Sequence, residues 1–294
     1  MGSLCRTNRK VGRCGVSNIE WTDITWNWLV GCSRISQECD NCYAAVAAAS
    51  PRLQQFPQYQ GVERWDGTVS FVESQLHKPL GMRNSKRIFT CSMSDVFHEN
   101  VPDEWRDRAF AVMAIAAHHT YQILTKRTQR MVDYFAQPDL GKRWAKIIEE
   151  ELMSSPCIGH LLDALEEDPL LDNVWLGTTA GTQKSVCDRL PLMTTLTDRG
   201  WTTFVSAEPL LEQLNMGFGF PGYRVSQIIA GAESGRGARP MNEDWVRSLR
   251  DQCVANNVAF FYKQNFYKGK KISLPELDGK QWTEFPSRAK ANVE

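Results

Sequence analysis

Residues 87–98 read Arg87-Ile88-Phe89-Thr90-Cys91-Ser92-Met93-Ser94-Asp95-Val96-Phe97-His98. The first part is a compact run of apolar and β-branched residues, the composition of a buried strand. It breaks into Ser92, Ser94, Asp95 and His98, and an amphipathic stretch then opens at Pro102-Asp103-Glu104-Trp105 and runs to His118. Proline and acidic residues in a first turn are helix-start signals. Strand, polar end and helix together make one βα unit.

The unit recurs along the chain. Tyr121–Leu124 ends in Thr125-Lys126-Arg127 and is followed by Met131–Phe135. Asn173–Gly177 ends in Thr178-Thr179, and Thr203–Ser206 ends in Ala207-Glu208-Pro209. Gln227–Gly231 ends in Ala232-Glu233-Ser234-Gly235, and Val258–Tyr262 ends in Lys263-Gln264. With Leu29-Val30, which leads into a cysteine-rich loop, seven strands are expected. Near-continuous apolar runs suit strands covered on both faces. Their alternation with helical segments argues an α/β fold on a parallel sheet. About six to eight such units close into a full or partial TIM-like barrel. An open doubly wound sheet is the competing architecture, but no G-x-G-x-x-G follows the first strand.

Around this barrel, residues 1–18 read as a flexible N-terminal tail, 19–286 as the barrel and 287–294 as a C-terminal tail. The connection at 139–172 exceeds what a βα unit needs, so it reads as an insertion with an acidic helix (Ile147–Met153) and a Leu-rich one (Leu161–Glu167). Residues 43–49 should open a helix and Val69–Val72 a short strand.

Composition bounds the function. The 294 residues are 42% hydrophobic and 23% charged, ordinary values for a protein with a sizeable core. Formal net charge is zero, so no overall field attracts nucleic acid or anionic lipid, although a local basic patch would suffice. The longest apolar run, Ala109–Ala117, is too short to span a bilayer. Arg6 and its polar neighbours exclude a secretory core, and Arg6 stands where a myristoylation signal needs Ser or Thr. The expectation is a cytoplasmic protein without a membrane partner.

Of nine cysteines, six (5, 14, 91, 157, 187 and 253) are scattered, and three are not. Cys32, Cys39 and Cys42 form a C-x6-C-x2-C triplet in the loop after the expected first strand. Three thiolates at this spacing can hold one zinc, with His98 as a fourth ligand. They can equally hold one face of an iron–sulfur cube and leave one iron open. A short loop on a barrel rim favours the cube. The ends of parallel strands share that rim, so Lys126, Arg127, Glu208, Glu233 and Lys263 should converge there. Singly, each is only a strand ending where polarity begins. The glycines of residues 231–240, with Ser234, Arg236 and Arg239, could cradle a phosphate or carboxylate.

The chain resembles a phage- and bacteria-encoded three-cysteine-motif family similar to the radical S-adenosylmethionine superfamily. The resemblance lies in Ile19–Asp23, Thr25–Asn27, Gly31-Cys32, Cys39–Tyr43 and Ser92–His98. It continues in Leu124–Arg127, Glu208–Leu210, Gly231–Pro240, Phe261–Gln264 and Leu277–Lys280. It implies a 4Fe–4S cluster on Cys32, Cys39 and Cys42. The open iron would chelate S-adenosylmethionine, and reductive cleavage would give a 5′-deoxyadenosyl radical, with the electron from a donor such as a flavodoxin or ferredoxin. By strand order it implies Ser92, Ser94 or Asp95 at the methionine amino group, Lys126 or Arg127 at its carboxylate and Thr178 and Thr179 at the ribose. Glu208, Glu233 and Lys263 would face cofactor or substrate. Two features depart from the superfamily pattern: six residues rather than three separate the first two cysteines, and Asn41 replaces the usual aromatic before the last.

Two other readings compete. One is a non-enzymatic zinc or iron–sulfur module that binds nucleic acid through Lys126, Arg127, Arg130, Arg236 and Arg239. The other is a TIM-like lyase or hydrolase using Glu208, Glu233 and Lys263, with a structural cysteine site. For the leading reading, phage-type relatives suggest a nucleic acid or nucleotide substrate.

Overall fold

The computed structural model describes residues 17, 19–152, 158–219, 222–235 and 237–286. Cys5, Cys14, Cys157, Arg236, the C-terminal tail and nearly all of the N-terminal tail lie outside the described residues. Eight strands form the main sheet in chain order: β1 (Ile24–Trp26), β2 (Arg87–Thr90), β3 (Thr120–Thr125), β4 (Val174–Thr179), β5 (Thr202–Ala207), β6 (Gln227–Gly231), β7 (Ala259–Tyr267) and β8 (Lys270–Ser273). β1 to β7 pair in parallel, and β8 folds back antiparallel on β7. The sheet curls into a half-barrel whose first and last strands do not pair. The partial form of the expected barrel is the one found.

Side-chain alternation along the strands builds two cores. Phe89, Trp175, Phe204, Ile229 and Phe261 point inward and fill the bore together with Trp21. Their neighbours Ile88, Leu176, Val205, Ile228 and Phe260 face the helices. Gly177 makes room for this filling, since a Cβ there would lie 2.2 Å from Cζ of Phe204. Trp21 forms the floor, 4.7 Å from Phe89, and its carbonyl accepts a hydrogen bond from Gln122 Nε2 at 3.3 Å.

The helices of six residues or more are α1 (Tyr43–Ala48), α2 (Asp103–Ile115), α3 (Thr128–Phe135), α4 (Leu140–Ile147), α5 (Gly159–Glu167), α6 (Gln183–Asp198) and α7 (Glu243–Ala255). The inserted α4 and α5 join the outer layer, with Leu140, Trp144 and Leu165 buried in the main core. The acidic stretch is not a helix of its own: Ile148–Leu152 continues α4 as a wider π-type turn. Among the described residues no helix is long and apolar enough to cross a membrane.

Two strand expectations are corrected. The first sheet strand is Ile24–Trp26, while Leu29-Val30 pairs antiparallel with Ser70-Phe71 in a separate ribbon. Immediately after it Gly31 takes φ +95°, with Thr68 O only 2.1 Å from where a Cβ would be, so the chain turns sharply into the cysteine loop. The eighth strand was not expected, because Lys270-Lys271-Ile272-Ser273 carries no apolar pattern.

Candidate functional site

A cavity of about 390 Å³ opens at the C-terminal mouth of the half-barrel. Cys32, Cys39 and Cys42 line one wall, Lys126, Arg127, Glu208, Glu233 and Lys263 stand around the rim, and Trp21 and Phe89 close the bottom. The sequence-predicted convergence of cysteine loop and strand ends is therefore present in the structure.

Three strand ends hold the six-residue spacer. After β3, the buried Arg127 donates from Nη2 to Ser33 Oγ (2.8 Å) and from Nη1 to Cys32 Sγ (3.6 Å). The same guanidinium pairs with Asp95 (3.2 Å) and Glu99 (2.7 Å). After β4, Glu38 Oε1 accepts from Ser185 Oγ (2.5 Å) and Gly181 N–H (3.2 Å), with Arg189 3.6 Å away. After β6, Glu233 accepts from Asn41 Nδ2 (2.8 Å) and pairs bidentately with Arg239. Arg239 also reaches Asp40 (3.3 Å) and the Gln37 carbonyl (3.0 Å). These contacts fix Ser33, Gln37, Glu38, Asp40 and Asn41, so the long spacer is a braced turn.

The charges follow from these contacts. Burial pushes the Cys32 thiol up to about 12, reinforced by Asp95 and opposed by Arg127. Burial works against the Glu38 carboxylate, but hydrogen bonds from Ser185 and Ser36 outweigh it and hold the group at about 2. Glu99 also lies at about 2, with Arg127 overcoming burial, and Glu233 is lowered in the same way by Arg239.

Several expected roles are redistributed. Arg127 spends its N–H groups on Ser33, Cys32, Asp95 and Glu99, so it braces the loop and has no fork free for a carboxylate. Asp95 accepts from Thr125 Oγ1 (2.6 Å), Phe97 N–H (2.9 Å), Lys126 N–H (3.1 Å) and Arg127, which leaves little capacity for an ammonium. Ser92 and Ser94 line the cavity, their hydroxyls donating to Asn27 Oδ1 (3.2 Å) and the Leu29 carbonyl (2.9 Å). Thr179 lines the cavity, whereas Thr178 turns away and bonds Thr128 (2.6 Å) in the helical layer. Lys263 and Glu208 form an ion pair of 2.5 Å. Glu208 packs beside Gly231, where a Cβ would stand 3.3 Å from its carboxyl carbon. Arg239 does not leave the Gly-rich turn as an open anion cradle, because it is engaged with Glu233 and Asp40. Lys126 lines the cavity and has no carboxylate within ion-pair distance among the described residues.

His98 is not placed as a fourth ligand. Its Nδ1 accepts from Asn100 N–H (3.1 Å), so the proton sits on Nε2, which donates to Ser33 Oγ (2.8 Å). Cys91 is buried at φ +59° in the cavity wall, and burial pushes its thiol up to about 12. Lys271, Gln264, Trp21 and Tyr43 also line the cavity and were missed. Trp21, Tyr43 and Gln264 lie within the motifs that carry the family resemblance; Lys271 had no signal, because its strand had none.

The donor set fits an iron–sulfur cube. Cys32, Cys39 and Cys42 line the cavity together with the buried Cys91 and no histidine, and Arg127 and Ser36 stand within hydrogen-bond reach of Cys32 and Cys39 sulfur. Among the described residues no three His, Cys, Asp or Glu close on a single ion. On a cube each thiolate takes a different iron, so the three need not meet at a point.

The class is thus an α/β half-barrel with a braced three-cysteine loop at its mouth. The chain belongs to the family described as a protein of unknown function (DUF5131), whose model matches residues 16–286. The curated proteins include no match to it. Among solved structures it is similar to a single-residue variant of spore photoproduct lyase, at 10% identity and a TM-score of 0.48, covering 86% of this chain and 79% of that one. It is also similar to spore photoproduct lyase complexed with dinucleoside spore photoproduct, at 12% identity and a TM-score of 0.44, covering 85% and 66%. A double variant with bound AdoMet and dinucleoside spore photoproduct gives 11% identity and a TM-score of 0.43, again covering 85% and 66%.

Proposed function

We propose that the chain is a radical S-adenosylmethionine enzyme that holds a 4Fe–4S cluster through Cys32, Cys39 and Cys42 and acts on a nucleic acid or nucleotide. One observation carries the reading: three thiols of a braced loop face a single cavity at the mouth of a parallel half-barrel. When bound, cluster and S-adenosylmethionine supply reductive cleavage to a 5′-deoxyadenosyl radical, with one electron from a donor such as a flavodoxin or ferredoxin.

The chain's residues bind, orient and exclude water. Arg127 holds Cys32 and Ser33 in place and offers an N–H to the sulfur. Lys126, in the cavity and without an ion-pair partner among the described residues, is the cation suited to the methionine carboxylate, and Thr179 and Ser92 offer hydroxyls to the rest of the cofactor. Trp21 and Phe89 seal the bore beneath it. Glu208 and Lys263, 2.5 Å apart, present a carboxylate that can accept a proton and an ammonium that can give one to a bound substrate.

Anaerobic purification tests this. Brown protein with about four irons per chain that releases 5′-deoxyadenosine with dithionite and S-adenosylmethionine supports it, and Cys39→Ala should lose both. Colourless protein carrying one zinc would overturn it.

A further inference from the structure

On β7 two consecutive residues face the same way. Phe261 fills the bore, so alternation sends Lys263 to the cavity and would send Gln264 to the helices. Yet both line the cavity. The cause is a bulge: Ala230 of β6 pairs with Tyr262 and the next residue, Gly231, with Gln264, so Lys263 is one residue too many. A bulge bends its strand and re-aims the side chains that follow.

The bulge delivers Gln264 as a fixed group. The residue is 2% exposed, its Nε2 donates to the Ala232 carbonyl at 2.7 Å, and Ala232 N–H donates to the Gln264 carbonyl at 3.0 Å. A carbonyl only accepts, so the amide sits one way round and Oε1 is left as an acceptor. No described residue donates to it. Gly231 makes the place, since a Cβ there would stand 3.3 Å from Gln264 Cγ and 3.3 Å from Glu208 Cδ. The two side chains therefore meet over the space that a methyl group would take. Lys263 Nζ is 2.5 Å from Glu208 Oε1, and the other Glu208 oxygen has no partner among the described residues. Two acceptors and a donor thus share one corner of the cavity.

We propose that Gln264 is a specificity residue for the substrate, and that this corner reads an uncharged ring edge carrying an N–H beside an acceptor, as a nucleobase does. The inference deepens the proposed function and rests on it for the reaction, not for the binding. Buried acceptors without donors cost free energy until a ligand or water supplies one. A few placed polar groups in a largely apolar cavity are what orient a ligand. Lys263 is neutralised by Glu208, and Arg127, Arg130 and Arg239 are engaged inside the protein, so the corner offers a phosphate no unpaired cation. A ring N–H supplies Gln264 Oε1 or Glu208, and Lys263 supplies the acceptor next to it. The aromatic floor of Trp21 and Phe89 suits a flat ring better than a flexible chain.

The test is isothermal titration of the anaerobically purified full chain with adenosine, guanosine, cytidine and uridine, with and without saturating S-adenosylhomocysteine. At least one nucleoside should bind beside the cofactor analogue. Gln264→Leu, which keeps most of the volume and removes the acceptor, should weaken it roughly three- to tenfold and leave S-adenosylhomocysteine unchanged. On the wild type, the same nucleoside methylated at its edge N–H should lose a similar factor, a comparison that needs no variant to fold; on Gln264→Leu the methyl group should cost little more. Saturable binding of none of the four, wild-type affinity in Gln264→Leu, weakening of S-adenosylhomocysteine in place of the nucleoside, or equally tight binding of an acyclic dipeptide amide would overturn the proposal. Iron content of the same samples keeps the two readings separate: iron-free protein whose nucleoside binding depends on Gln264 removes the cluster and keeps this site, and iron-loaded protein indifferent to Gln264 removes this site alone.

Discussion

Replacing Arg127 by methionine should cost about 3–4 kcal/mol of unfolding free energy. The side chain is 6% exposed and its partner Asp95 8%, so the pair is buried. Breaking a buried pair by removing one member costs about 3–5 kcal/mol, because the remaining charge stays out of water. Asp95 keeps three other hydrogen bonds, from Thr125, Phe97 and Lys126, which places its loss near the lower end. The second partner, Glu99, is half exposed and adds at most about 1 kcal/mol. Methionine refills most of the volume, so a cavity adds little. Urea unfolding of the metal-free chain, followed by tryptophan fluorescence, gives the difference by linear extrapolation. Arg127→Lys should lie between the two, since it keeps the charge and loses the fork that reaches Ser33, Cys32 and Asp95 together. A methionine variant within about 1 kcal/mol of wild type would refute the view that this ion pair braces the loop.

Acid should loosen the same loop from another side. Glu38 titrates at about 2 in the folded protein against an ordinary 4.5, so its contribution is present above 4.5 and is lost as pH falls through about 2. The shift amounts to about 3 kcal/mol, and Glu38→Gln should flatten the acid limb of the stability curve; an unchanged limb would show that the carboxylate is not the group responsible. In the bore, Gly177→Ala should cost about 1–3 kcal/mol, because the new methyl group overlaps the Phe204 ring. Calorimetry showing an unchanged Tm would mean that Phe204 repacks freely.

What the sequence disclosed follows from burial. β2 to β7 were legible because strands covered on both faces must be apolar almost throughout, and each ends abruptly where the rim meets water. β1 escaped notice because three residues with Thr25 at their centre make too short a pattern, and β8 because all four of its residues are exposed. The cysteines stood out by spacing alone. Their bracing did not, since Glu38 meets Ser185 across 147 positions and Asn41 meets Glu233 across 192, distances at which one sequence carries no pairing signal. For the same reason Arg127 and Glu233 read as groups for a ligand, although the fold gives both to the loop.

The brace has a consequence for synthesis. The cysteine loop leaves the ribosome ahead of its anchors, which arrive with β3, β4 and finally with Glu233 and Arg239 after β6. Domains form from the N-terminus as the chain emerges, yet this loop cannot take its final shape until more than three quarters of the described chain exists. A truncated or stalled product would carry all three thiols and still lack the walls that hold them.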